Sequence, residues 1–143
     1  MTDRQIYVNL PVKDVSASIN FFKQLGYDFE PRFTDNGAGC VVIQKNIFIM
    51  LLGQEQFGRF IKDREITNSQ KSTEVMIALR YSSKTEVDKL VEKAIQAGGK
   101  VFREPQDHGF MYGRSFCDLD SHVWEIFYMD DELLENARNN TEK

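Results

Sequence analysis

Apolar and polar residues change their period along this chain in an order that then repeats. Ile6 to Val12 alternates weakly and predicts a strand ending at Pro11. The period then lengthens. Ile19, Phe22 and Leu25 form an apolar stripe at helical spacing, with Asp14-Val15-Ser16 at its start and Gly26 just past its end. Short apolar runs follow at Tyr27-Asp28-Phe29, Cys40 to Gln44 and Ile47 to Leu52, with Lys45-Asn46 as the turn between the last two. After a long polar stretch the order recurs. Glu74 to Tyr81 reads as a strand, and Thr85 to Ala97 as a helix with Val87, Leu90, Val91, Ala94 and Ile95 on one side. Gly98-Gly99 ends that helix, Lys100 to Arg103 reads as a strand, and Tyr112 to Cys117 with Val123 to Met129 as a hairpin.

Strand, helix and three strands thus occur twice, with Gly26 and Gly98 about half the chain apart. A single repetition at this distance points to internal duplication, because a solenoid stacks three or more units. The expected fold class is α+β, with two βαβββ modules in one chain forming a concave, cup-shaped mixed sheet with the helices outside. The expected organisation is one domain over residues 1–143. It comprises a first module at 5–52, a connector or lid at 53–73, a second module at 74–129 and a polar C-terminal tail at 130–143, frayed from Asn136 onward. The 53–73 segment carries Phe57, Phe60 and Ile61 at helical spacing, and structureless connectors this long are uncommon in compact domains.

Glu125 is the residue that stands out chemically. Strand alternation puts it on one face with Val123 and Phe127, and Trp124, Ile126 and Tyr128 on the other. A carboxylate on a half-enclosed apolar face must be hydrogen-bonded, protonated or bound to a cation. Without a cation, desolvation would disfavour its charged form.

Charge and composition narrow the partners. The chain has 143 residues and a net charge of -4, with no Lys/Arg stripe to neutralise phosphates, so a nucleic-acid surface is not expected. Residues 1–5 show no apolar run behind a basic region, and no apolar stretch is long enough to span a bilayer. Cys40 and Cys117 do not make a disulfide framework. The expectation is a reduced, cytoplasmic protein with neither membrane nor nucleic-acid partner.

Val8-Asn9-Leu10-Pro11-Val12-Lys13-Asp14, Ser18-Ile19-Asn20-Phe21-Phe22-Lys23-Gln24-Leu25-Gly26, Ala97-Gly98-Gly99 and Asp118 to Glu125 together resemble the vicinal oxygen chelate superfamily of glyoxalases, extradiol dioxygenases and bleomycin-resistance proteins. The likeness runs from Ile6 to Met129. Asp107 to Phe116 is similar to a bacterial subgroup labelled predicted lactoylglutathione lyase. Metal-dependent members of the superfamily hold a divalent ion with four side chains, commonly His or Gln, Glu, His or Gln, and Glu. Matching the motifs puts Tyr7, Met50, Met76 and Glu125 at those positions, so only Glu125 carries the family's residue. A phenol and two thioethers do not make a catalytic zinc, nickel or iron site. No cofactor is therefore expected, and a divalent metal is disfavoured.

The resemblance implies a protein that binds a small molecule in an apolar cup without a complete metal site. The alternative is a lyase or dioxygenase with Glu125 as catalytic base or metal ligand, and a third possibility is a scaffold that dimerises. Tyr7, Asn9, Phe48, Met50, Met76, Arg114 and Phe127 are the candidate ligand-binding residues. Phe48, Met50, Met76 and Phe127 would supply an adaptable apolar lining. Arg114 offers a planar fork for a carboxylate or phosphate, or simply lies on an exposed strand face. His122 is expected as a solvated turn residue, His108 as a loop residue, and Asp118 and Asp120 as caps of the turn. Glyoxalase-like chains commonly pair, so a homodimer is expected.

Overall fold

The structure, a computed structural model, describes residues 3–141. The chain divides into two compact units, Met1–Asn68 and Ser69–Lys143, with the division inside the 53–73 connector. In the first unit β1 (Ile6–Val12) leads into α1 (Val15–Gln24), followed by β2 (Asp28–Phe29), β3 (Ala38–Gln44) and β4 (Ile47–Gly53). The strand order is β1-β4-β3-β2, with β1 parallel to β4 and the other pairs antiparallel. The second unit repeats this plan. Its elements are β5 (Met76–Tyr81), α3 (Lys84–Gln96), β6 (Lys100–Val101), β8 (Met111–Cys117) and β9 (Val123–Met129). Their order is β5-β9-β8-β6, and β5 is parallel to β9. The α+β class and the two βαβββ modules are therefore as the sequence implies.

Both module helices are closed by the same local chemistry. Asp14 accepts the Ala17 amide at the start of α1, and Ser83 accepts the Glu86 amide at the start of α3. At the other end, Gly26 and Gly98 have φ of 99° and 111°, where any side chain would be strained. Each donates its amide three residues back (to Lys23 and Ile95), and the following residue reaches the Phe22 and Ala94 carbonyls. This is the Schellman arrangement. The apolar stripes then pack onto one face of each sheet. Leu10, Val12, Phe21, Phe22, Ile49 and Leu51 are buried in the first unit, and Val87, Val91, Phe116, Trp124 and Ile126 in the second.

The differences from the sequence expectation are local; β3 begins at Ala38 rather than Cys40, and β6 ends at Val101 rather than Arg103. The connector contains α2 (Gln54–Phe60), which packs on β1 and β4 of its own unit. A two-residue strand, β7 (Gln106–Asp107), pairs with β8. The second module's first strand begins at Met76 rather than Glu74. The tail is not frayed through residue 141 but forms α4 (Asp131–Thr141); the frayed expectation for 142–143 lies outside the described residues. Asp130 accepts the Leu133 amide at the start of α4, and Asp131 and Glu132 lie in its first turn, where the helix dipole favours acids. Among the described residues no helix is long and apolar enough to cross a membrane.

Candidate functional site

Register sorts the candidate side chains by face, because paired residues on neighbouring strands point the same way. In the first unit Tyr7 pairs with Phe48, Asn9 with Met50, and Pro11 with Leu52. These six share the face opposite the α1 side, where Leu10, Val12, Ile49 and Leu51 are buried. The Tyr7 and Phe48 rings stack at 4.6 Å and 10°, and Phe33 meets Tyr7 edge-on at 6.3 Å. The Tyr7 hydroxyl donates to Gln5 Oε1 at 3.1 Å. Beside them lies a cavity of about 440 Å³ lined by Asn9, Leu52, Phe57, Phe60 and Ile61. Its only polar lining residue is Asn9.

In the second unit Glu125 lies between Ala78 on β5 and Ser115 on β8. Met76 and Phe127 share its face, Met76 being half exposed. Arg103, just after β6, completes the group. Its Nη2 donates to Glu125 Oε2 at 2.7 Å, and its Nη1 lies 2.5 Å from Oε1. Oε1 is buried and receives no well-directed hydrogen bond, so that second contact is an ion pair by proximity. The Arg103 amide donates to Ser115 Oγ at 3.2 Å, which fixes the backbone from which the guanidinium reaches. The sequence reading left Glu125 to be hydrogen-bonded, protonated or bound to a cation; the structure supplies Arg103.

Arg114 does not join this group. Register pairs it with Ile126, on the face that carries Trp124 and packs against α3. Its Nη1 lies 3.1 Å from both Asp88 and Glu92 of α3, and the Tyr112 hydroxyl donates to the same Asp88 at 2.7 Å. That hydrogen bond, with burial behind it, holds the Tyr112 hydroxyl above its ordinary pKa.

The Asp118 to His122 turn is a structural lock. Asp118 Oδ1 accepts the Asp120 and His122 amides, and Oδ2 accepts Trp124 Nε1 at 3.0 Å. Burial pushes the Asp118 carboxyl above its usual range, against the opposing pull of His122 and these donors. His122 is 8 % exposed, so it is not the solvated residue expected. Ser121 has φ of 66°, the left-handed strain its position between the hairpin strands imposes. His108 sits in a loop beside Phe110, with its amide donated to the Met111 carbonyl. Burial raises the pKa of both Cys40 and Cys117, which leaves them poor nucleophiles.

The residues do not suit the divalent ion that metal-dependent relatives would hold. Tyr7 is a phenol hydrogen-bonded to Gln5, Met50 and Met76 are thioethers, and the Glu125 carboxylate already faces a guanidinium. Among the described residues no three His, Cys, Asp or Glu side chains gather as a metal would require.

The sequence profile of the Glyoxalase/Bleomycin resistance protein/Dioxygenase superfamily matches residues 4–126. A hypothetical protein from S. aureus is 30% identical over 90% of this chain and 95% of its own, with a TM-score of 0.73. A glyoxalase/bleomycin resistance protein/dioxygenase family enzyme from Burkholderia phytofirmans is 20% identical over 89% of this chain and 99% of its own, with a TM-score of 0.74. A fosfomycin resistance protein from Listeria monocytogenes is 20% identical over 90% and 94%, with a TM-score of 0.61. No curated protein matches the chain.

Proposed function

Because the chain belongs to the Glyoxalase/Bleomycin resistance protein/Dioxygenase superfamily, we propose that it binds a small, mainly apolar molecule without the divalent metal of its catalytic relatives. The observation that carries this reading is the cavity of about 440 Å³ formed by Phe57, Phe60 and Ile61 with Asn9 and Leu52. Small-molecule sites are typically concave, apolar and fitted with few polar groups, and Asn9 is the polar group here. Phe60 is 71 % exposed, an aromatic held at the rim with little of its surface covered. Tyr7, Phe48 and Met50 continue the same face.

Saturation-transfer NMR with 1-naphthol and benzamide as probes tests the reading. Both should bind the wild-type chain, and Phe57→Arg should weaken both about tenfold or more, a loss of about 1.4 kcal/mol. Asn9→Leu should weaken benzamide and spare naphthol. Absence of binding, or binding that Phe57→Arg leaves unchanged, overturns it. The enzymatic alternative, a lyase or dioxygenase, needs Glu125 free as base or ligand, whereas the Arg103 guanidinium donates to its Oε2 and lies against its Oε1.

A further inference from the structure

The second unit carries a cation fixed over a carboxylate, and the arrangement is directional. The Glu125 side chain is 13 % exposed and the Arg103 side chain 40 %, so the negative group lies beneath and the positive group outward. The pair as a whole is neutral, yet the face presents its positive end. A guanidinium has five N–H donors, and the contact with Glu125 engages two at most. Three remain, on a side chain whose backbone is tied to the buried Ser115 hydroxyl. Two more cations share this face by register, Lys100 opposite Cys117 and Arg80 opposite Phe127; Arg80 is partly neutralised by Asp131. Phe127 and the half-exposed Met76 add apolar surface, and Gly113, opposite Phe127, leaves the floor low.

We propose that Arg103 is an oxyanion receptor for the carboxylate of a small organic acid, with Glu125 as the positioning residue that aims it. A lone arginine on a strand face would lose side-chain entropy on binding an anion. Here Glu125 and Ser115 have already ordered it, so less is lost when a ligand arrives. The Met76 and Phe127 surface would take the acid's apolar body. This proposal goes beyond the reading built on the Asn9–Phe57 cavity and stands on different residues, so either can fail alone.

Titration of the whole chain with 3-phenylpropionate and its neutral amide, followed by amide chemical shifts in NMR, tests it. The acid should shift the Arg103, Ser115 and Glu125 amides and bind at least about tenfold tighter than the amide. That preference should shrink with added salt, as a part-exposed charge contact must. Arg103→Met should abolish the preference. If that variant unfolds because Glu125 is left uncompensated, the double change Arg103→Met with Glu125→Leu removes both charges and should show the same loss. Glu125→Gln should retain the acid's preference through the remaining cation while broadening the Arg103 signals. Equal binding of acid and amide by the wild type, no acid binding at all, or full preference in either arginine variant overturns the proposal.

Discussion

A carboxylate buried like that of Glu125 needs a compensating charge, and Arg103 provides it from 22 residues away. A double-mutant cycle of Glu125→Leu and Arg103→Met, read by urea unfolding, should give a coupling of about 1–2 kcal/mol, because solvent screens the arginine end. Asp118 is more deeply committed. Asp118→Ala leaves the Trp124 indole and two backbone amides without their acceptor, and should cost about 2–3 kcal/mol by the same measurement. The pH dependence of wild type against Asp118→Asn follows from linkage. The folded carboxyl titrates above its unfolded value, so between those values the folded state holds more protons and stability falls as pH rises. The wild type should therefore gain on Asp118→Asn as pH is lowered from 7 towards 4; a constant difference would refute this. Of these residues, strand parity marked Glu125 as unusual, and turn chemistry marked Asp118 as a cap. Arg103 left no signal, because a two-residue strand has no period to read and nothing local pairs it with β9. Arg114 did leave one. The Asp118 turn pairs Cys117 with Val123, which forces Arg114 opposite Ile126 on the helix side.

At the level of elements, the two module helices and eight of the nine strands described were legible to within a residue or two, most of them through a clear period and a punctuating glycine or acid. The equivalence of the two helix ends makes a paired prediction. Gly26→Ala and Gly98→Ala each place a Cβ at positive φ, and each should cost about 1 kcal/mol or more. Gly98→Ala should cost more, because its Cβ would meet Leu119 Cδ2 at 3.1 Å whereas that of Gly26 meets nothing within 4 Å. Chemical denaturation of both variants checks the order as well as the size. Elements whose formation depends on tertiary partners were the ones missed. β7 exists through its pairing with β8, and α4 is tied to β5 by Arg80, which reaches Asp131 and the Met129 carbonyl. α2 was foreshadowed only by the spacing of Phe57, Phe60 and Ile61, too short a run to separate a helix from a loop.

For the molecule as a whole, the duplication and the family were readable because motif spacing survives wherever backbone turns must recur. The chemistry was less so, since it depends on pairings between distant residues. We expect a homodimer, and exposed Ile6, Val101 and Phe102 leave apolar surface for one; sedimentation giving a monomer at high micromolar concentration would exclude it. The firmest whole-chain expectation concerns metal. Three of the four positions that the resemblance matches to an ion site are unfit by their own chemistry, and the fourth, Glu125, is paired with Arg103. Tyr7 would have to give up its phenolic proton, Met50 and Met76 offer neutral sulfur that suits soft copper rather than zinc, nickel or iron, and Glu125 would have to release Arg103. Binding a dication at Glu125 would also set it against the guanidinium at close range, an electrostatic cost on top of the lost ion pair. Protein purified without chelators should therefore contain far less than one Zn, Ni, Fe or Mn per chain by elemental analysis. Adding these ions should leave its melting temperature unchanged, whereas a ligand of the folded state would raise it. Stoichiometric metal that is lost on Glu125→Gln would reverse the assignment, returning Glu125 to the role of ligand and making Arg103 a residue that must move aside.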